Sequence, residues 1–255
     1  DDRPYFFDFF RWRLLGELYA LRGRGGFGLL EWGYPVLALT LAQAVLVTLV
    51  LIPLPLLAVG ARHGGGGGAR KIPGLVYFLS LGLAFLFVEI AFIQKFILFL
   101  ASPVYAAAVV LCGFLLFAGL GSRVSGRLLD HANPTLAPVV AIGFFAVAYL
   151  LLLAPLFEEL ILLPLAGKMA VSLVLIAPLA FAMGMPFPLG LSRLGEDQPG
   201  LIPWAWAING CASVVSAVLA VLLAIQFGFT LVLILALLFY ALAALTFPGD
   251  ARAAQ

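Results

Sequence analysis

Charge is what this sequence is shortest of. Asp, Glu, Lys and Arg make up only 10% of its 255 residues, where a soluble domain carries about 25%, so the chain cannot cover a water-facing surface of ordinary polarity. Histidine and cysteine are scarcer still, at 2 each. Cys112 and Cys211 lie inside apolar runs at no ligand spacing, which excludes a disulfide framework or a zinc motif and predicts two small buried hydrophobes. His63 and His131 are single loop residues expected to face solvent. No metal site and no cofactor is expected from such a set. The 14 basic residues, at a net charge of +2, are scattered through connecting segments, so nucleic acid is not an expected partner. The chain opens abruptly at Asp1-Asp2-Arg3-Pro4 with no signal-peptide pattern, which reads as a fragment of something longer.

What the sequence has in abundance is apolar length. Hydrophobic residues reach 64%, with 27 Gly and 16 Pro, and both of those residues are more frequent in membrane helices than in soluble ones. The fold class predicted is an all-α polytopic membrane bundle of about seven spans, in contact with a lipid bilayer, preceded by an interfacial amphipathic helix. That helix covers 5–21, where Asp8, Arg11, Arg13 and Glu17 interrupt aromatic clusters too often for a span. Gly23-Arg24-Gly25-Gly26-Phe27-Gly28 follows as a literal G-x-G-x-x-G. It lacks the preceding strand and the later acid that a dinucleotide site requires, so a flexible turn is the better reading.

The windows place spans at 34–59, 74–100, 103–121, 138–156, 169–191, 204–226 and 229–247. Pro53 and Pro55 break the first near its end. The glycine-rich stretch 62–71 is expected to be a disordered loop, 122–134 a polar loop, and the residues after Glu159 a short interfacial piece. Lys and Arg divide almost evenly between the two sets of loops, so the positive-inside rule selects no orientation.

Against this background one carboxylate stands out. Glu89 falls near the middle of the second span, where a charge costs on the order of 3 kcal/mol on insertion scales and must face protein or water. Gln94 and Lys95 follow about two turns later. Lys95 is six residues on, roughly 120° off the face of Glu89, so the two do not pair within the helix. Glu89 is expected to face the bundle interior against the sixth span, near Asn209 or Ser213. Its alternatives are a structural hydrogen bond or ion pair to Lys95, Asn209 or Tyr105, or a cation site. The candidate polar set is therefore Glu89, Gln94, Lys95, Asn209 and Ser213.

A second feature is the break at Met183-Gly184-Met185-Pro186-Phe187-Pro188. Pro186 and Pro188 each remove a backbone donor, and irregular backbone at that depth must be buried or line a cavity. In the next span Ser216, Ala220 and Ala224 repeat every four residues, as do Ser213 and Ala217, which lets another helix approach closely. Trp204 and Trp206 are expected to be interfacial anchors.

These stretches carry a family pattern. Gly82 with Glu89, Pro103-x-Tyr105-Ala106 and Gly119-Leu120-Gly121-Ser122-x-x-x-Gly126-Arg127 resemble the membrane helices of polytopic bacterial spermidine synthase-like proteins. The family's basic residue after the glutamate falls at Gln94, with Lys95 one place later. Met183-Gly184-x-Pro186-Phe187-Pro188 and Trp206-Ala207-x-Asn209-Gly210 are similar to a second block of that family. Asp1-Asp2-x-Pro4 resembles the acidic motif near the end of its soluble aminopropyltransferase-like domain. The resemblance implies that 1–33 holds the end of a preceding soluble domain, an interfacial helix and a linker, that 34–247 is the bundle and that 248–255 is a polar tail. It implies a bacterial inner membrane and a soluble catalytic partner, fused or associated, since no catalytic domain lies in this chain. Three functions stay open: an anchor that couples that domain to the membrane, a transporter-like domain in which Glu89 binds a cation such as a polyamine, and an accessory subunit of a membrane complex.

Overall fold

The computed structural model describes residues 33–51, 68–131 and 133–248. The expected interfacial helix, the G-x-G-x-x-G turn, Pro53, Pro55, His63 and the polar tail after 248 lie outside the described residues. Eight α-helices follow in order: α1 (Gly33–Leu51), α2 (Gly68–Leu100), α3 (Pro103–Val124), α4 (Leu136–Glu159), α5 (Leu165–Met183), α6 (Pro186–Asp197), α7 (Ile202–Phe227) and α8 (Phe229–Leu245), with no strand among the described residues. Five stretches are long and apolar enough to cross a membrane: Ile72–Leu100, Pro103–Leu128, Leu136–Glu159, Leu165–Asp197 and Pro199–Phe227. The chain is an integral membrane protein. Two further apolar helices, Pro35–Leu51 and Phe229–Leu245, are shorter.

The bundle is built around α2. In its most apolar stretch 61% is buried, against 22% for α4, so α2 is surrounded by helices while α4 turns most of its surface outward. Tyr77, Phe78, Phe87, Phe92, Phe96 and Phe99 line the α2 surface, none more than 2% exposed. Edge-on ring contacts join Phe92 to Phe114 of α3 and to Tyr149 of α4, and Phe99 stacks on Phe157 at 4.3 Å. Such pairs contribute about 0.5–1.5 kcal/mol each beyond their burial, and here they fix the heights of three helices relative to one another.

Connections follow from local chemistry. Ala101 ends α2 in the left-handed region at φ 53, Ser102 is extended and Pro103 opens α3 at its first position, so the chain reverses tightly. Gly228, at φ 92, supplies the other sharp reversal between α7 and α8. The direction of each helix is read from its contacts with α2. Asn209, Ser213 and Ser216 of α7 meet Phe78, Gly82 and Leu83 in rising order, so α7 runs parallel to α2. Phe247 meets Tyr77 while Phe239 meets Phe87, so α8 runs antiparallel to it.

Several boundaries differ from the sequence reading. α2 begins at Gly68 rather than 74, so the last residues of the expected loop are helical. α3 continues to Val124 and into a 3-10 turn over Ser125–Leu128, because the polar residues after Ser122 still complete backbone hydrogen bonds. The piece after Glu159 is a short reversal, with α5 starting at Leu165. Cys112 is exposed and Cys211 half-buried, which corrects the expectation of two buried hydrophobes. A helix in lipid has no need to turn every apolar residue inward. His131 is exposed as expected.

Candidate functional site

Glu89 lies about two thirds of the way along α2, 6% exposed, and so faces the bundle interior as its cost in lipid requires. The helix directs side chains back toward its own N-terminus, which aims the carboxylate toward the level where Phe87 meets Phe239 of α8 at 5.9 Å. The next residue on α8 is Tyr240, 1% exposed. Its hydroxyl interacts electrostatically with Glu89 and has no hydrogen-bond partner among the described residues. A buried carboxylate and a buried unpaired hydroxyl thus share one region between α2 and α8.

Asn209 and Ser213 spend hydrogen bonds on the α2 backbone. Asn209 Nδ2 donates to the Phe78 carbonyl at 3.2 Å, and Ser213 Oγ donates to the carbonyls of Gly82, at 3.4 Å, and Asn209, at 2.9 Å. Gly82 and Phe78 precede Glu89 by about 10 and 16 Å along the axis. Seven residues are close to two full turns, so Glu89 lies on the same face of α2 as Gly82, beyond the turns to which Asn209 and Ser213 bond. Parallel packing holds those two residues against the turns of α2 that precede Glu89. Ser216 Oγ adds a third bond of the same kind to Leu83 at 2.7 Å. The polar face of α7 thus serves as a clamp on the α2 backbone. Gly82 makes the approach possible, since a Cβ there would fall 2.5 Å from the Asn209 carbonyl oxygen and 2.8 Å from Ala212 Cβ. Tyr105, the other alternative partner, is exposed at the start of α3. Gln94 is half-buried, and Lys95 faces a cavity at the far end of α2.

The break between α5 and α6 is a packed joint. Met183 is buried, the helix stops at Gly184 and Pro186 restarts it at the first helical position. The Tyr77 hydroxyl donates to the Pro186 carbonyl at 2.5 Å and packs against Gly190. Gly190 is required for this, because a Cβ would fall 2.2 Å from Tyr77 Cε1. On the other side of the joint the α3 and α5 backbones touch. A Cβ on Gly121 would lie 1.9 Å from the Phe181 carbonyl oxygen, and one on Gly184 2.0 Å from that of Ala118. Pro188, half-buried, lies in the first turn of α6. The exit of the joint is tied down as well, since Arg193 donates to the Leu129 carbonyl at 2.8 Å. A crevice of about 650 Å³ reaches Met185 and Phe181, but the side chains that line it are all apolar, so it offers a polyamine no acceptor.

Sequence reasoning missed Tyr77 and Tyr240. The only signal available was that each tyrosine sits in an apolar run, where a buried hydroxyl calls for a partner. Among the described residues no group of three His, Cys, Asp or Glu is placed to hold a metal ion. The chain matches no protein-family model, no curated protein and no solved structure.

Proposed function

We propose that this chain is the membrane domain of a polytopic bacterial spermidine synthase-like protein, a scaffold in the inner membrane that anchors a soluble aminopropyltransferase-like domain, fused or associated. In this reading α1 and α8 also cross the bilayer, giving seven spans. One observation supports it above the others: four of the residues that carry the family resemblance hold helices together. Gly82 and Asn209 close α2 on α7, and Gly121 and Gly184 close α3 on α5. The broken segment is filled by Tyr77 rather than opened to a path.

Transport of a cationic small molecule is the second reading, and the proximity of buried Glu89 to the unpaired Tyr240 hydroxyl favours it. Flux of labelled spermidine into phosphatidylcholine liposomes separates the two. A scaffold gives the same flux with and without the protein. Protein-dependent flux that falls in Glu89→Gln rejects the scaffold as the whole function.

A further inference from the structure

At the end of the bundle where α2 finishes and α8 begins, α2, α4 and α8 enclose a cavity of about 440 Å³. That is within the range of about 300–1,000 Å³ usual for small-molecule sites. The residues lining it change character along its length. Phe92, Tyr149, Leu150, Leu153 and Leu233 form an apolar interior, while Lys95, Glu158 and Thr230 are its polar members. From Tyr149 to Glu158 the wall runs about 13 Å along α4 at 1.5 Å per residue. Glu158 is the penultimate residue of α4 and Thr230 the second of α8, so the polar groups gather where the spans end.

Leu98, Phe99, Phe157 and Ile161 share that end, so the polar groups stand near the end of the spans within a largely apolar wall. Lys95 presents an ammonium with three N–H donors and Thr230 a hydroxyl, and both are positioned by contacts of their own within the fold. Lys168 adds a second ammonium beside the cavity, 5.4 Å from the ring centre of Phe99, which also lines it. Lys95 and Glu158 are the two charged members of the lining, and Lys168 stands beside it at Phe99. The interior, walled by aromatic and leucine side chains, suits an unbranched chain.

We propose that this cavity binds a single-chain amphiphile with a carboxylate head, of the fatty-acid class, with the head at Lys95 and Thr230 and the chain running inward past Leu153 toward Tyr149. The site is separate from Glu89 and from the joint at Pro186. It stands whether the domain is a scaffold or a transporter.

The test uses the whole chain in phosphatidylcholine nanodiscs with photoactivatable palmitate. Cross-links are expected on α4 between Tyr149 and Phe157 and on α8 at Leu233, with competition by unlabelled palmitate and much weaker competition by palmityl alcohol. Ala154→Trp, on the exposed lining of the cavity, should lose most of the labelling. Leu116→Trp, on the exposed surface of α3, should keep it. Lys95→Met should abolish the preference for acid over alcohol while the chain still labels. Labelling spread over all exposed apolar surfaces would overturn the proposal, as would labelling unchanged in Ala154→Trp. Equal labelling of the same peptides by a photoactivatable phosphatidylcholine would identify ordinary boundary lipid and overturn it too.

Discussion

Tyr77 and Pro186 are 109 residues apart in sequence, yet the hydroxyl of one donates to the carbonyl of the other at 2.5 Å and seals the point where α5 gives way to α6. Pro186 opens α6, so its carbonyl already accepts within that helix, and the tyrosine hydroxyl adds a second bond from α2. Tyr77→Phe keeps the ring in its contacts with Phe78 and Phe247 and removes only the hydroxyl. The expected cost is about 1–2 kcal/mol, near the upper end for a hydrogen bond between membrane helices. Denaturant titration in mixed micelles measures it, and hydrogen exchange should quicken at Leu189 and Gly190. Unchanged stability and exchange would mean that the bond does not hold the joint.

The two glycines Gly119 and Gly121 give a prediction of sign. A Cβ at Gly121 would lie 1.9 Å from the Phe181 carbonyl oxygen, whereas one at Gly119 would meet nothing within 4 Å. Gly121→Ala should destabilise by about 1–3 kcal/mol through overpacking. Gly119→Ala should be neutral or stabilising by up to about 1 kcal/mol from helix propensity. Parallel thermal melts decide, and equal effects would refute the close approach of α3 and α5.

Glu89→Gln and Tyr240→Phe probe the buried pair of polar groups. The hydroxyl of Tyr240 makes no hydrogen bond among the described residues, so its removal should be neutral or stabilising by about 1 kcal/mol. Replacing the carboxylate by an amide removes a charge that is costly to bury, so in a scaffold Glu89→Gln should also hold or raise the melting temperature. A loss of several kcal/mol in either variant would mean that the native state depends on the charged group.

Topology is tested with cysteines in a chain carrying Cys112→Ala and Cys211→Ala. With α5 and α6 together making one crossing, Leu162→Cys and Gly200→Cys should label from opposite faces. With α8 also crossing, Pro248→Cys should label from the face of Gly200. Reaction of Pro248→Cys from the face of Leu162 would remove α8 from the count of spans.

The three bonds from Asn209, Ser213 and Ser216 to the α2 backbone share one purpose, and their loss should be graded. Ser216→Ala should cost roughly 0.6 kcal/mol, typical of hydrogen bonds between membrane helices. Ser216→Leu should cost several times more, because Ser216 is fully buried. A tolerated leucine would mean that α7 does not press on α2 there.

The sequence by itself determined the class of the protein, the core spans and the location of the break. A chain with so little charge and so long a set of apolar runs has no soluble solution, and Pro186 cannot continue a hydrogen-bond ladder. Glu89 was legible as an inward-facing residue for the same reason, since a carboxylate in lipid is too costly. That Tyr240 shares its region was not legible. Apolar spans carry almost no record of which face meets which helix, because lipid and protein interior are equally good surroundings for leucine. Parallel packing of α2 and α7 set Asn209 and Ser213 against Phe78 and Gly82, and antiparallel packing of α8 brought Tyr240 to Glu89. Tertiary structure also decided what the broken helix does. Tyr77, more than a hundred residues away, ties its hydroxyl to the first carbonyl of α6, a contact no local pattern could have announced.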